Sequence, residues 1–240
     1  MEKIRIIIFD CDGVVINSGA DIAAAVNAML DHFNLHRLSE EKLISYTGDG
    51  ASKLILRALN SSAEFGGFSV RNISPETMSS YLNWYLDYYY EHCIIRTVLY
   101  PGIAVLLERL SLAGIHVALV SNKPENISHR ILEYFDIADY FDAVIGPNQL
   151  KHMKPNPEGL QLATDKINKI IGIGGKKEDT VSPCQVLMVG DSDVDIQAGH
   201  AFKCHTCAVT GGIGNKERLA AEHADITVKY AGDLRGLLAL

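Results

Sequence analysis

Apolar positions in this 240-residue chain follow two rhythms, and the two occupy different stretches. Residues 4–9 (Ile-Arg-Ile-Ile-Ile-Phe) form a β-branched run that stops at a charged cluster, as a strand buried on both faces does. Similar runs fall at 115–120, 143–145 and 186–189, with weaker ones at 206–209 and 226–228. Helical spacing separates them over 101–113, 124–135, 157–171, 193–202 and 215–223. The first of these helices is expected to open with Pro101 at its first position and to close at Gly114. Strands alternating with helices predict a parallel, doubly wound α/β sheet whose ligands lie beyond the carboxyl ends of the strands.

Between residue 18 and about residue 95 the strand rhythm vanishes. Ile22, Val26, Met29 and Phe33 recur at helical spacing. Ser74-Pro75-Glu76 then supplies cap, proline and first-turn acid for a helix carrying Met78, Leu82, Tyr85 and Tyr89 along one face. Tyr81, Trp84, Tyr88 and Tyr90 add aromatic surface, which reads as helix–helix core. The expected organisation is therefore an all-helical insert, 18–95, in an α/β domain made of 1–17 and 96–240. The segment 172–183 (Gly-Ile-Gly-Gly-Lys-Lys-Glu-Asp-Thr-Val-Ser-Pro) reads as an exposed loop and lacks the pattern of a P-loop.

Charge narrows the partners. The 22 basic residues face 29 acidic ones, for a net charge of −7, so a bulk electrostatic grip on nucleic acid or an anionic membrane is not expected. No apolar run reaches the roughly 18 residues that span a bilayer, and the run before Asp10 is too short for a signal peptide. Cysteines at 11, 93, 184, 204 and 207 fit no disulfide framework, so the expected compartment is reducing and cytoplasmic. Cys204-His205-Thr206-Cys207 has the look of half a metal or redox motif, but no second pair accompanies it and packing is the simpler role.

Four polar clusters fall at or just beyond the strand-like runs. Asp10-Cys11-Asp12-Gly13 places two carboxylates at a buried strand end, where their repulsion calls for a cation, a shared proton or hydrogen-bond donors. Ser121-Asn122-Lys123-Pro124 stands at a strand end and helix start, a setting that holds anions. Lys154-Pro155-Asn156-Pro157 could aim a lysine inward from a stiffened backbone. Gly190-Asp191-Ser192-Asp193-Val194-Asp195 resembles a calcium loop only superficially, because Ile196 and Phe202 occupy the positions that need glycine and glutamate. Together the acids suit Mg²⁺, lysine and serine suit phosphate oxygens, and a carboxylate can attack phosphorus.

These motifs, in this order, resemble the haloacid dehalogenase superfamily of phosphohydrolases, and within it the phosphoglycolate phosphatase-like group. The resemblance rests on Asp10-x-Asp12-Gly13, Ser121-Asn122, Lys154-Pro155 and Gly190-Asp191-x-x-x-Asp195, and spans almost the whole chain. It implies a Rossmann-like core, a helical cap over 18–95, and a specificity loop at Gly48-Asp49-Gly50-Ala51. It further implies that Asp10 is nucleophile and Mg²⁺ ligand, and that Asp12 is general acid and then base, with its carbonyl on the metal. Ser121 and Asn122 would hold the phosphoryl group, Lys154 would neutralise it, and Asp191 and Asp195 would bind or support the metal. Gly48, Asp49 and Gly50 would contact the substrate, a small phosphorylated metabolite; the active form would be a monomer or homodimer.

The chain departs from the family's pattern at Val14 and Asn17, where threonine and aspartate are common, and at Asp49, where asparagine is typical. Asp49 adds a negative charge that Lys53 or Arg57 would have to offset for an anionic substrate. Three alternatives share parts of the pattern. A phosphomutase of the β-phosphoglucomutase type commonly has glutamate where Gly190 stands, and a dehalogenase or phosphonatase typically lacks the carboxylate supplied by Asp12. A receiver-like phosphoacceptor module needs about half the length and has no helical insert.

Overall fold

The computed structural model describes residues 3–66, 73–174 and 180–237. The chain opens with β1 (Ile6–Phe9) and β2 (Ile16–Asn17), then runs through α1 (Gly19–His32), α2 (Glu40–Ile44), α3 (Ala51–Gly66) and α4 (Pro75–His92). After β3 (Val98–Leu99) strands and helices alternate: α5 (Ile103–Leu112), β4 (His116–Val120), α6 (Glu125–Tyr134), β5 (Ala143–Ile145), α7 (Glu158–Gly174), β6 (Val186–Gly190), α8 (Asp193–Phe202), β7 (His205–Val209), α9 (Lys216–Ala221), β8 (Ile226–Val228) and α10 (Leu234–Leu237). Two compact units result, one of Met1–Asn17 with Leu99–Leu240 and one of Ser18–Val98. No described helix is long and apolar enough to cross a membrane.

The first unit is an α/β domain around a six-stranded sheet in the order β5-β4-β1-β6-β7-β8, parallel throughout. Its central strand shows why the apolar runs are unbroken: Ile6, Ile7, Ile8 and Phe9 are all fully buried, because helices cover both faces. One face packs Ile6, Ile8, Val120, Ile145 and Met188 against Leu160, Ala163 and Ile167 of α7. β1 lies between β4 and β6 with Phe9 level with both Leu119 and Val189. The residues that follow these three strands therefore emerge side by side at one edge.

Two local expectations are corrected. Pro101 does not open α5, which begins at Ile103 after Gly102 at φ +77°; a Cβ at Gly102 would stand 3.3 Å from Cα of Gly232. The helix therefore waits for a left-handed residue that also lets two backbones pass. The segment 172–183 is not a loop throughout. α7 continues to Gly174, and buried Val181 is tied to Asn168 through its N–H (2.7 Å) and its carbonyl (3.1 Å). Residues 175–179 of that expected loop lie outside the described residues.

Among its described residues the second unit is built of helices, with only Val98, the first residue of β3, in a strand. α1 buries Ile22, Val26 and Met29, and α4 buries Tyr85 and Tyr89. Trp84 stacks on His32 at 4.7 Å and Tyr88 on Trp84 at 5.1 Å, while Tyr81 meets Phe33 edge-on at 4.5 Å. Helices α2 and α3 were not expected from apolar spacing, although Ser39 caps α2 and Glu40 and Glu41 fill its first turn. Near the end of the unit, buried Asp21 accepts hydrogen bonds from the N–H groups of Ile95, Arg96 and Thr97 and from the Thr97 hydroxyl. One carboxylate so holds the chain's return against the start of α1.

Candidate active site

Asp10 leaves β1 with its N–H bonded to the Val189 carbonyl at 2.9 Å, so the first aspartate is fixed by the neighbouring strand. A tight turn follows: Gly13 stands at φ +87° and its N–H reaches the Ile16 carbonyl at 2.8 Å. Glycine is required there twice over, since a Cβ would also meet Oδ2 of Asp191 at 1.8 Å.

Lys154 enters from the connection after β5. Its buried ammonium donates to Oδ1 of Asp10 at 2.8 Å and to the Val120 carbonyl at 2.7 Å, and lies 2.7 Å from Oδ1 of Asp195. Its own carbonyl accepts from the Asn122 amide at 3.3 Å. Ser121 is buried at the end of β4, where its hydroxyl accepts from the Lys123 N–H at 3.3 Å. Asp191 follows β6, and its Oδ2 accepts from the N–H groups of Ile213 and Gly214, each at 2.8 Å. Asp195, in the first turn of α8, receives the Ser192 N–H (3.0 Å) and hydroxyl (2.6 Å) on Oδ2.

The core residues expected from sequence thus converge: Asp10, Ser121, Asn122, Lys154, Asp191 and Asp195 are buried at one edge of the sheet. Oxygens of Asp10, Asp191 and Asp195 lie within 4.8 Å of one another. Asp12 stands beside this trio without joining it: its charge acts on Asp10, and its carboxylate is paired with Lys123 at 2.9 Å and 3.2 Å. Gly48, Asp49 and Gly50 belong to the second unit; both glycines have positive φ, and Asp49 is held by Arg57 and, at 3.6 Å, by Lys53.

Electrostatics mark the acidic group as incomplete. Burial, against the pull of Lys154, pushes the Asp10 carboxyl up to about 6. Burial and the neighbouring charges of Asp195 and Asp10 hold Asp191 well above the ordinary carboxylate range. Lys154 is held above the usual lysine range, where the attraction of Asp10 and Asp195 outweighs its burial. Oδ1 of Asp195 is buried and, among the described residues, accepts no aligned hydrogen bond. Four carboxylates here face two ammonium groups, so a divalent cation would balance the charge, and hard oxygen donors fit Mg²⁺.

Two features of this edge carry no recognisable role in the sequence pattern. Lys123 was visible within its cluster but reads there as an ordinary helix-start residue. The loop 211–214 (Gly-Gly-Ile-Gly) follows a parallel strand, the one signal it offers, and acts through backbone N–H groups. A Cβ at Gly212 would meet Oδ2 of Asp191 at 2.3 Å, so the close approach needs glycine. Elsewhere, Cys204 and Cys207 are free thiols that burial pushes up to about 12, in keeping with packing.

The sequence pattern of the haloacid dehalogenase-like hydrolases matches residues 7–209, and the chain belongs to that family. It is 34% identical to the phosphoglycolate phosphatase of Salmonella typhimurium and 32% identical to that of Escherichia coli K12, in both cases over 100% of this chain and 94% of the relative. The crystal structure of a predicted phosphoglycolate phosphatase from Haemophilus somnus 129PT superposes with a TM-score of 0.86 at 28% identity, over 99% of each chain. Within its family the chain is thus of phosphoglycolate phosphatase-like type, a phosphoric monoester hydrolase.

Proposed function

We propose that the chain hydrolyses a small phosphorylated metabolite through an aspartyl-phosphate on Asp10, with Mg²⁺ as cofactor. The observation that carries this reading is the ammonium of Lys154 set between Asp10 and Asp195 inside a buried acidic group. Asp10, Asp191 and Asp195 would hold Mg²⁺, joined by the Asp12 carbonyl. The ion would supply charge balance and electrostatic stabilisation of phosphoryl oxygens.

In the first half-reaction an Asp10 carboxylate oxygen bonds to phosphorus while the ester P–O bond breaks. Asp12 gives its proton to the departing oxygen. In the second half Asp12 takes a proton from water, the water oxygen bonds to phosphorus, and the acyl P–O bond breaks. Inorganic phosphate leaves and both carboxyls are restored. Ser121 and Asn122 position the phosphoryl group, and Lys154 neutralises its charge.

Phosphoglycolate is the substrate favoured within this reading. Arg57 and Lys53 offset Asp49, which removes the objection to a second anionic group. Gly48, Asp49 and Gly50 would contact the leaving group, with 18–95 acting as the cap on a core of 1–17 and 96–240. A cytoplasmic monomer or homodimer, without nucleic-acid or membrane partners, completes the proposal. The phosphomutase alternative is disfavoured at Gly190, where a Cβ would stand 2.1 Å from Cβ of Asp195, leaving no room for glutamate.

The test is phosphate release from a panel of phosphoglycolate, sugar phosphates and p-nitrophenyl phosphate, with Mg²⁺ and after chelation. Borohydride reduction of the working enzyme should convert the acyl phosphate at Asp10 to homoserine, read by mass spectrometry. Full activity after exhaustive chelation, or a label at another residue, would overturn the mechanism.

A further inference from the structure

Lys123 poses a physical question that the proposed reaction leaves unanswered. Its side chain is 2% exposed, and a lysine so placed must be paired, since an isolated buried ammonium is far too costly. Its ammonium straddles the Asp12 carboxylate, 2.9 Å from Oδ1 and 3.2 Å from Oδ2, across 111 positions of sequence. Its own backbone N–H is tied to the Ser121 hydroxyl at 3.3 Å, two residues earlier on the loop after β4. The lysine therefore links the carboxylate after β1 to the loop after β4 in one rigid span.

We propose that Lys123 is a positioning residue for Asp12: it holds the carboxylate in the orientation from which a proton reaches the leaving oxygen. This rests on the reading of Asp12 as general acid and extends it to a residue that reading does not include. A carboxylate on a tight turn can rotate about two side-chain bonds, and proton transfer tolerates little misplacement. In the ionised form the ammonium engages both oxygens; when Asp12 carries its proton, the ammonium keeps the unprotonated oxygen and leaves the hydroxyl to face the leaving group. The forward half-reaction should then depend on Lys123 only as far as the leaving group needs a proton.

The test compares kcat/KM for phosphoglycolate, an alkyl ester, with that for p-nitrophenyl phosphate, whose leaving group departs without protonation. kcat/KM reports the steps up to leaving-group release, so the later use of Asp12 as base does not enter. Lys123→Met should lower the alkyl value about 100-fold and the aryl value less than about fivefold, the scale of general acid catalysis. Lys123→Arg, which keeps two donors for the carboxylate, should restore much of the alkyl value. If Lys123→Met folds poorly by its thermal transition, Lys123→Gln takes its place in the same comparison.

Asp12→Asn is the control. It should show the same selectivity for the alkyl ester. A selective Asp12→Asn beside an unselective Lys123→Met, with equal losses on both esters, would overturn the role of Lys123 alone. An unselective Asp12→Asn would overturn the general acid assignment and the proposal with it. An equal rise in KM for both esters would make Lys123 a phosphate ligand instead, and would also overturn the proposal.

Discussion

Nζ of Lys154 lies 2.8 Å from Oδ1 of Asp10, both residues buried, although 144 positions separate them in the chain. The same ammonium stands 2.7 Å from Asp195, so one cation serves two carboxylates that would otherwise repel each other in a dry setting. Lys154→Met should therefore be costly in two ways. Removing one partner of a buried pair destabilises by about 3–5 kcal/mol, and the loss should be greater at pH 7.5 than at pH 5, where the abandoned carboxylates can take protons. Phosphate release should fall more than about 100-fold. Thermal melts at the two pH values check the first claim; equal losses at both would show that charge burial is not what Lys154 offsets.

Asp10→Asn should abolish turnover and leave the fold intact. The amide does not attack phosphorus, and the substitution removes a carboxylate whose protonation burial already favours. A well-folded variant that kept more than about a hundredth of the parent kcat would displace Asp10 from its role as nucleophile.

Mg²⁺ binding should strengthen as pH rises. Burial holds Asp10 up to about 6, and burial with neighbouring charge holds Asp191 above its ordinary range, so the native metal-free protein keeps protons that the unfolded chain loses. The sign follows: this contribution to metal-free stability is full below pH about 4 and is lost as pH climbs through about 6. Mg²⁺ competes with the same protons. The rise in Tm on adding MgCl₂ should accordingly be larger at pH 7.5 than at pH 5. Equal rises would mean that these carboxylates are not its ligands.

Asp21→Ala should unfold the helical unit more readily. Three N–H groups and the Thr97 hydroxyl lose their acceptor, and unsatisfied donors of this kind cost about 1–3 kcal/mol each before water reaches them. A net loss of about 2–4 kcal/mol is expected in urea titration, with Asp21→Asn recovering part of it. A change below about 0.5 kcal/mol would show that the return segment is held by other contacts.

What the sequence made legible follows from how parallel sheets are built. Strands buried on both faces are continuous apolar runs, and the site begins where each run stops, so Asp10, Ser121 and Asp191 stand out at β1, β4 and β6. Lys154 joins them because an ordered motif, rather than a strand end, marks it. Lys123 was hidden for the opposite reason: a lysine before a proline at a helix start looks solvated, and its partner is 111 positions away. The loop 211–214 was hidden because it acts through main-chain N–H groups, which leave no side-chain signature beyond the glycines that admit them. α2 has five residues, too few for apolar spacing to declare itself.

The charge balance at Asp49 gives the sharpest test of substrate choice. Its carboxylate binds the Arg57 guanidinium, which also donates to the Tyr46 carbonyl at 3.0 Å, and it lies 3.6 Å from the Lys53 ammonium. The local group thus carries one excess positive charge. Asp49→Asn leaves two cations facing a neutral amide. If the loop at 48–50 reads the leaving group, attraction for a substrate carboxylate should rise by a screened charge interaction, on the order of 1 kcal/mol, or about fivefold in kcat/KM for phosphoglycolate. A neutral sugar phosphate should gain little, and p-nitrophenyl phosphate, whose leaving group carries no carboxylate, should change less than twofold or so. The gain should shrink in high salt, because Arg57 and Lys53 are partly exposed. Arg57→Met should act in the reverse direction, leaving Asp49 less well offset and phosphoglycolate the substrate most impaired. Parallel changes for all three esters would show that Asp49 shapes its unit without reading the leaving group, and the substrate assignment would lose its support.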